Sequence, residues 1–459
     1  MKHLGDVTKI SGYEIEPVDV LTGGSPCQDL SVAGLRKGMK HEELDDEETT
    51  RSGLFMEQIR IAKEMRERDR LSGRSGVDVR CRYFVWENVC GAYSSNGGRD
   101  FQTVLTEIIR VADQTAPAVP LPEGGWPKYG CYYSEMGDWS LAYRTVDAQF
   151  FGTPQRRKRI ALLCDFNGLT APEILFDPQL RGETEGRESD ETIGSAGGER
   201  GQTVQAVEAS LPGNPQQGRT EGEGTSAGTE RDVGAAGERG HIKLVYDARG
   251  NGSGAISPTI TGDHQNRISD YTAIALETAK KAVSVGNGQT NNVSMLPIAN
   301  PLDCMHDKQA VMELKNDDQP RYIVRRLTPD ECASLQGFPR NWCNIGDWTD
   351  SNGKKHKDAD TPKYKAYGNS IAVGFANERS GFWCWLMRRI SAQYERRATQ
   401  GSLFSGIGGF DLAWAAVNGP ESVRFSSEIE EFPIAVLKQH FGDEDTGAEG
   451  DFYQAIKGA

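Results

Sequence analysis

The sequence predicts an α/β protein, in which helices cover a mostly parallel sheet and a small, irregular, mainly β module accompanies it. Three observations carry this expectation. Over residues 1–164, short apolar runs alternate with helix-spaced segments, the pattern of strands linked by helical crossovers. Far along the chain, "GSLFSGIGGFDLAWAA" from Gly401 reads as strand, glycine turn and helix. Between these, residues 165–240 lose aromatics and become rich in Gly, Glu, Ser and Thr, a composition that buries too little apolar surface to offset chain entropy.

The elements follow in order. "PVDVLT" is a short apolar strand signal, and "FMEQIRIAKEMRE" places Phe55, Ile59, Ile61 and Met65 at helical spacing. "RYFVWENV" is a second strand with a polar end, "FQTVLTEIIRVAD" a second helix, and "KRIALLCDF" a third strand. Residues 165–240 are expected to be a low-complexity linker. Residues 241–320 regain weak order in two loosely similar stretches, "GNGSGAISPTITGDHQNRISDYTAI" and "GNGQTNNVSMLPIANPLDCMHDKQAV", which suggest short strands and turns. Residues 321–397 return to helix: "LTPDECASLQGFP" opens with a Thr cap and Pro at the first position. "SIAVGFANERSGFWCWLMRRISAQYERR" reads as one long amphipathic helix. Residues 398–459 bring the glycine turn and a further strand, "SVRFSSEIEE".

At 459 residues the chain can hold two or three domains. Its nine cysteines include no Cys-x-x-Cys pair, so reduced thiols in a cytoplasmic protein are expected. No signal peptide is expected, because no apolar run follows Met1-Lys2-His3, and no stretch approaches the roughly 18 apolar residues of a membrane span. The net charge of −14 is unevenly spread. Acid concentrates in Glu42–Glu48 and in Glu183–Glu238, whereas base clusters at Arg156–Arg159, Arg325-Arg326, Arg388-Arg389 and Arg396-Arg397. The sum therefore neither suggests nor excludes a nucleic-acid partner.

Three features carry chemistry. Cys27 follows Gly-Gly-Ser-Pro just past an apolar strand, a presented position rather than a packed one, and thiolate is the strongest side-chain nucleophile near neutral pH. Glu87 ends the second strand, at the edge where parallel sheets bind ligands. The turn Gly406–Gly409 opens a helix whose N–H groups attract an anion, although its Gly-x-Gly-Gly pattern is not the dinucleotide Gly-x-Gly-x-x-Gly. Glu428 lies at the end of the next strand, about 20 residues on, a spacing that suits a ribose diol. Loop and acid together point to a nucleoside-bearing cofactor with a charged tail.

Taken together, these motifs resemble the DNA cytosine-5 methyltransferases in circularly permuted order. "GSPCQDLS" is similar to that family's Pro-Cys nucleophile motif, "WENV" to its Glu-Asn-Val motif and "QRRKRIAL" to its Gln-Arg-x-x-Arg motif. "RRLTPDECASLQGFP" and "YGNSIAVGFA" resemble the two motifs that normally follow the recognition region, and "LFSGIGGFDLA" the cofactor loop that normally comes first. The departure lies in the break point, which leaves two Gly-Asp pairs, at Asp6 and Asp451, for the adenine contact. Asp6 is favoured, since it leads into "VDVLTGGSPCQ" at the family's spacing.

The resemblance implies a permuted Rossmann-like sheet dependent on S-adenosylmethionine, with a target-recognition domain at 241–320. It implies three catalytic residues: Cys27 attacking carbon 6 of a flipped cytosine, Glu87 holding the base edge, and Arg159 contacting the ring carbonyl. Phe404, Gly406, Gly408, Glu428, Asp6, Asn369 and Ser370 would bind the cofactor. Gln28, Ser31, Arg249 and Arg267 would face DNA, Arg157 would support the site or meet a DNA phosphate, and no metal is implied. The partner would be double-stranded DNA, bound by a monomer, with room for a cognate restriction endonuclease and none for a membrane. Two alternatives stay open, an RNA (tRNA) cytosine-5 methyltransferase and an inactive DNA-binding relative.

Overall fold

The computed structural model describes residues 1–25, 53–153, 155, 157–176, 205–206, 241–247, 272–278, 284–285, 293–294, 321–326, 328–374 and 381–457. The chain divides into two compact units: Met1–Ala206 with Thr259–His264 and Thr328–Ala459, and Val207–Pro258 with Gln265–Leu327.

The first unit is built from both ends of the sequence. Its early elements are β1 (Lys2–His3), β2 (Val20–Gly23), α1 (Leu54–Leu71), β3 (Tyr83–Val89), α2 (Arg99–Ala112), β4 (Tyr129–Tyr133), β5 (Ser140–Asp147), β6 (Lys158–Asp165) and α3 (Thr170–Leu175). A two-residue strand, β7 (Gln205–Ala206), borders β4. The second unit contributes β8 (His241–Asp247), β9 (Thr272–Thr278), β10 (Ser284–Val285), β11 (Val293–Ser294) and β12 (Arg321–Arg326). The first unit then resumes with α4 (Pro329–Gln336), the short pair β13 (Trp348–Thr349) and β14 (Lys355–His356), α5 (Asp360–Asn369) and α6 (Phe382–Ser391). It closes with β15 (Gln400–Leu403), α7 (Gly409–Asn418), β16 (Val423–Ser427), α8 (Glu431–Phe441) and α9 (Phe452–Ile456).

The sheet order is β1-β16-β15-β2-β3-β6-β5-β4-β7. The two strands from residues 400–427 thus sit between β1 and β2, in parallel register with both. Val20, Leu21 and Thr22 are fully buried, as suits a parallel strand covered on both faces. Helix α1 buries Phe55, Ile59, Ile61, Ala62 and Met65, and α2 buries Phe101, Val104, Leu105, Ile108 and Ile109. These are the three- and four-residue spacings of an apolar helix face, and both sets join one core cluster with Leu21, Phe84 and Trp86.

Three expectations need correction. The sheet is mixed rather than mostly parallel: β3, β6, β5, β4 and β7 pair antiparallel. Strands β4 and β5, which the sequence reading passed over, follow α2 with no intervening helix, and strands joined by short connections run antiparallel. The long helix expected over 370–397 is only α6, because Gly374 and Gly381 meet backbone to backbone. A Cβ on Gly381 would lie 2.3 Å from the Val373 carbonyl oxygen, and Ile371–Gly374 are not helical, with Gly374 turning at φ +70°. Residues 165–176, expected to open a linker, are packed instead: Asp165 and Phe166 are buried and α3 buries Ala171, Ile174 and Leu175.

In the second unit, β12, β9 and β8 form an antiparallel three-stranded sheet and β10 pairs with β11, in keeping with the expected mainly β module. Among the described residues, seven cysteines are free thiols, and no helix is long and apolar enough to cross a membrane.

Candidate active site

The residues singled out by sequence fall along one edge of the sheet, where the parallel strands end. In spatial order these are Asp6 after β1, Glu428 after β16, the turn 404–409 after β15, Gly24-Ser25 after β2, and Glu87 near the end of β3. Because β6 runs antiparallel to β3, its beginning lies at this same edge, with Arg159 opposite Val89 and Ala161 opposite Glu87.

Glu87 and Arg159 form an ion pair, Nε to Oε1 at 3.1 Å, with side chains 13 % and 17 % exposed. Burial raises the Glu87 carboxyl above the usual carboxylate range, against the opposing pull of Arg159 and Arg157. Gly24 packs over this acid: a Cβ there would lie 3.2 Å from Glu87 Oε2. Ser25 is pinned to β3, since the Trp86 indole N–H donates to its Oγ at 3.1 Å and Asn88 Nδ2 to its carbonyl at 3.0 Å. The chain therefore departs toward Cys27 from beside Glu87. Cys27, Gln28 and Ser31 lie outside the described residues, as do Arg249 and Arg267.

Of the two places expected for Arg157, the structure suits support of the site and not the DNA contact. Arg157 is 3 % exposed, and its Nη2 donates to the carbonyls of Gly368 at 3.1 Å and Ser370 at 2.5 Å. A guanidinium so enclosed braces the end of α5 and does not suit the DNA contact expected of it. Ser370 in turn approaches the glycine turn, 3.1 Å from where a Gly409 Cβ would stand, while Asn369 is exposed at the same end of α5.

The turn itself is strained and open. Phe404 has φ +56°, a left-handed conformation that costs a bulky residue energy and persists where the surroundings enforce it. Gly406 has φ +54° with nothing within 4 Å of a would-be Cβ, and Gly408 has φ +80° with Leu437 2.8 Å from its would-be Cβ. Glu428 closes the turn: its Oε2 accepts from Gly406 N at 2.7 Å, and its Oε1 from Ile429 N at 2.8 Å and Glu430 N at 2.9 Å. Burial raises this carboxyl also, opposed by those backbone bonds. Asp6 caps its own short turn by accepting from Thr8 N and Oγ1 at 3.0 and 2.8 Å, and the Gly5 carbonyl accepts from Ser427 Oγ at 2.7 Å. Asp451 instead binds Gln439 and His440 of α8, away from the strand ends.

Two residues at this edge escaped the sequence reading. Ile429, beside Glu428, is 69 % exposed, an apolar surface that only the folded chain reveals. Asp411, in the first turn of α7, is fully buried; a charged residue inside the otherwise apolar "GFDLAWAA" was the available signal. Among the described residues no cluster of His, Cys, Asp or Glu could hold a metal ion.

A family model for C-5 cytosine-specific DNA methylase matches residues 1–112 and 132–379. Among curated proteins, the chain is 28 % identical over 439 residues to one named DNA N-6-adenine-methyltransferase from Escherichia phage P1, across 81 % of this chain and 53 % of that protein. The chain therefore spans about half the length of that relative. It is 24 % identical over 372 residues to the type II methyltransferase M1.ScrFI of Lactococcus lactis subsp. cremoris, across 80 % of this chain and 63 % of the relative. Among solved structures, the S. pombe Dnmt2 methyltransferase matches 81 % of this chain and 80 % of its own at 12 % identity and a TM-score of 0.37.

Proposed function

From the premise that this chain belongs to the C-5 cytosine-specific DNA methylase family, we propose that it methylates carbon 5 of cytosine in duplex DNA, using S-adenosylmethionine. The observation that carries the reading is the buried Glu87–Arg159 pair beside the pinned Gly24-Ser25 segment that leads to Cys27.

The turn after β15 fits the cofactor. The open space at Gly406, the half-buried Phe404 ring, the exposed Ile429 and the Glu428 carboxylate offer an adenosine both apolar surface and a hydroxyl acceptor. Asp6 suits the adenine better than Asp451, because it ends a strand at this edge. When bound, S-adenosylmethionine supplies an electrophilic methyl group.

The chain's own residues activate the base. A duplex cytosine is out of reach and must be flipped from the stack. The Cys27 thiolate adds to carbon 6, and the ring electron pair it displaces makes carbon 5 nucleophilic. Glu87, whose carboxyl burial raises, takes up a proton as Arg159 leaves it, donates to ring nitrogen 3 and accepts from the exocyclic amine. Arg159 leaves its pairing with Glu87 to meet the ring carbonyl oxygen. Once carbon 5 carries the methyl group, its proton passes to water and the bond pair it leaves expels the Cys27 thiolate, which restores the aromatic ring. Gln28 and Ser31, next to the nucleophile, and Arg249 and Arg267, in the recognition region, are the proposed DNA contacts. A cognate endonuclease is a further partner consistent with the type II methyltransferase named above.

The decisive experiment is covalent trapping. Protein, S-adenosylmethionine and duplex DNA carrying 5-fluorocytosine are combined and run on a denaturing gel. A shifted band is expected for the wild type and none for Cys27→Ser, because fluorine at carbon 5 blocks the final elimination. Absence of an adduct on DNA of diverse sequence, despite measurable cofactor binding, overturns the reading.

A second reading, transfer to adenine N6, is favoured only by the name of the phage P1 relative. Nearly half of that relative lies outside the match, and a cysteine nucleophile has no task in methylating an amine. Nucleoside analysis of methylated product separates the two.

A further inference from the structure

We propose that Asp411 is held as a neutral carboxylic acid beneath the glycine turn, its single proton closing a hydrogen-bond chain between the strand that leads to Cys27 and the turn that receives the cofactor. The functional half of this inference rests on the methyltransferase reading, whereas the protonation itself does not.

The chain can be followed atom by atom. At one end, Ser405 N donates to the Ser427 carbonyl at 2.9 Å and Ser427 N donates to Ser405 Oγ at 3.2 Å, tying the turn to the end of β16. Ser405 Oγ lies 2.6 Å from Ser402 Oγ, and Ser402 Oγ donates to Asp411 Oδ2 at 2.9 Å. Each hydroxyl has one proton to give; with the Ser402 proton donated to Asp411, the Ser405 proton is shared between Ser402 Oγ and the Ser402 carbonyl, 3.2 Å away. At the other end, Gln400 neighbours Asp411, and its Nε2 donates to Thr22 Oγ1 on β2 at 2.7 Å.

Two buried oxygens are then left without a donor, Asp411 Oδ1 and Gln400 Oε1. Buried polar atoms are rarely orphaned, and a pair of orphaned acceptors on neighbouring side chains lacks one proton. A proton on Asp411 Oδ1, donated to Gln400 Oε1, satisfies both and makes the chain continuous from Ser427 to Thr22.

Burial opposes a charge. Asp411 is fully buried, and what acts the other way is limited to hydrogen bonds from Ser402, Gln400 and backbone, with no charged side chain among them. The packed elements present Gln400 and Ser402 from β15, Thr22 from β2, Leu437 and Phe441 of α8 against Gly408, and Trp383 of α6 against Phe410. None of these titrates near neutrality. Glu428 reaches Gly406 on the far side of Ser405. Burial accordingly pushes the Asp411 carboxyl up to about 7.

The turn should therefore be best organised when Asp411 carries its proton. Asp411→Asn reproduces the neutral acid, since the amide can donate to Gln400 and accept from Ser402. Asp411→Leu can do neither.

The test has two arms on the full chain. In difference infrared spectra at about pH 6, the wild type minus Asp411→Asn is expected to contain the carbonyl stretch of a protonated acid, which should vanish at about pH 8.5. In calorimetry, S-adenosylmethionine affinity should weaken by about tenfold between those pH values in the wild type and by less than about twofold in Asp411→Asn, with Asp411→Leu weak throughout. An ionised signal at about pH 6, with a flipped Gln400 amide donating to the carboxylate, overturns the proposal. If the infrared band is present but affinity follows pH equally in both proteins, protonation stands and coupling to the turn fails. Should the wild type bind no S-adenosylmethionine, the methyltransferase reading falls, while the infrared arm still decides the protonation.

Discussion

At the scale of single residues, the site depends on how burial sets charge. Glu87 sits on a central strand, its carboxyl raised by desolvation and restrained from rising further by Arg159 and Arg157. In the proposed reaction Glu87 donates to the base and must carry a proton, so the rate of methyl transfer should fall as pH rises through the Glu87 pKa. Glu87→Gln keeps a donor but presents it as an amide that cannot share a proton with the base. A loss of about 10²–10³ in kcat is expected, with S-adenosylmethionine affinity little changed, as measured by single-turnover methylation and calorimetry. An unaltered kcat would remove Glu87 from the chemistry. Glu87 and Arg159 were legible in sequence because "WENV" and "QRRKRIAL" carry them in recognisable settings. That they pair was not legible, because 72 residues separate them and only the antiparallel placement of β6 against β3 brings them together.

At the scale of elements, local chemistry decided more than periodicity. Helix α4 begins where the sequence says it should: Thr328 Oγ1 accepts from Glu331 N at 3.3 Å, Glu331 Oε2 accepts from Thr328 N at 2.7 Å, and Pro329 takes the first turn. Thr328→Ala should cost about 1 kcal/mol, read as a lowered midpoint in urea unfolding with an unchanged slope. Both capping groups are exposed, so a larger loss would mean that α4 is anchored by more than its cap. The long helix expected over 370–397 failed for the opposite reason. Its apolar spacing was genuine, but Gly374 and Gly381 are needed for a backbone contact that no periodicity reports. The sheet's antiparallel half was missed similarly, since "YGCYY" and "SLAYRTVD" mix polar and aromatic residues in a manner that resembles loop until β6 pairs with them.

At the scale of the whole first unit, residues from the two ends of the sequence share one sheet, and a buried clasp holds the junction. Asp19 accepts two bonds from Arg396, at 2.6 and 2.7 Å, and one each from Thr399 N at 2.8 Å and Thr399 Oγ1 at 3.1 Å. These bonds align β2 with β15. Burial alone would raise the Asp19 carboxyl, but Arg396, Thr399 and Arg80 hold it below the usual carboxylate range. A lowered folded-state pKa stabilises the protein above the unfolded-state value, and that contribution is lost as pH falls through the folded-state value. Asp19→Asn should therefore destabilise the fold at neutral pH by about 1–3 kcal/mol after discounting for the half-exposed Arg396, read as a lowered thermal midpoint, and the gap from wild type should close as pH falls through the lowered folded-state value of Asp19. A gap independent of pH would show that the loss is one of packing rather than charge.

The motifs, the cap of α4 and the positions of the proposed Glu87, Arg159 and Glu428 were readable from local sequence, because each depends on residue type and short-range spacing. The insertion of β15 and β16 between β1 and β2, the pairing of Glu87 with Arg159, the enclosure of Arg157 and the orphaned acceptors around Asp411 were not. Each of these depends on which distant segments become neighbours and on how much water is excluded between them. Burial and long-range pairing belong to the folded chain as a whole, and the charge states on which the proposed chemistry depends follow from them.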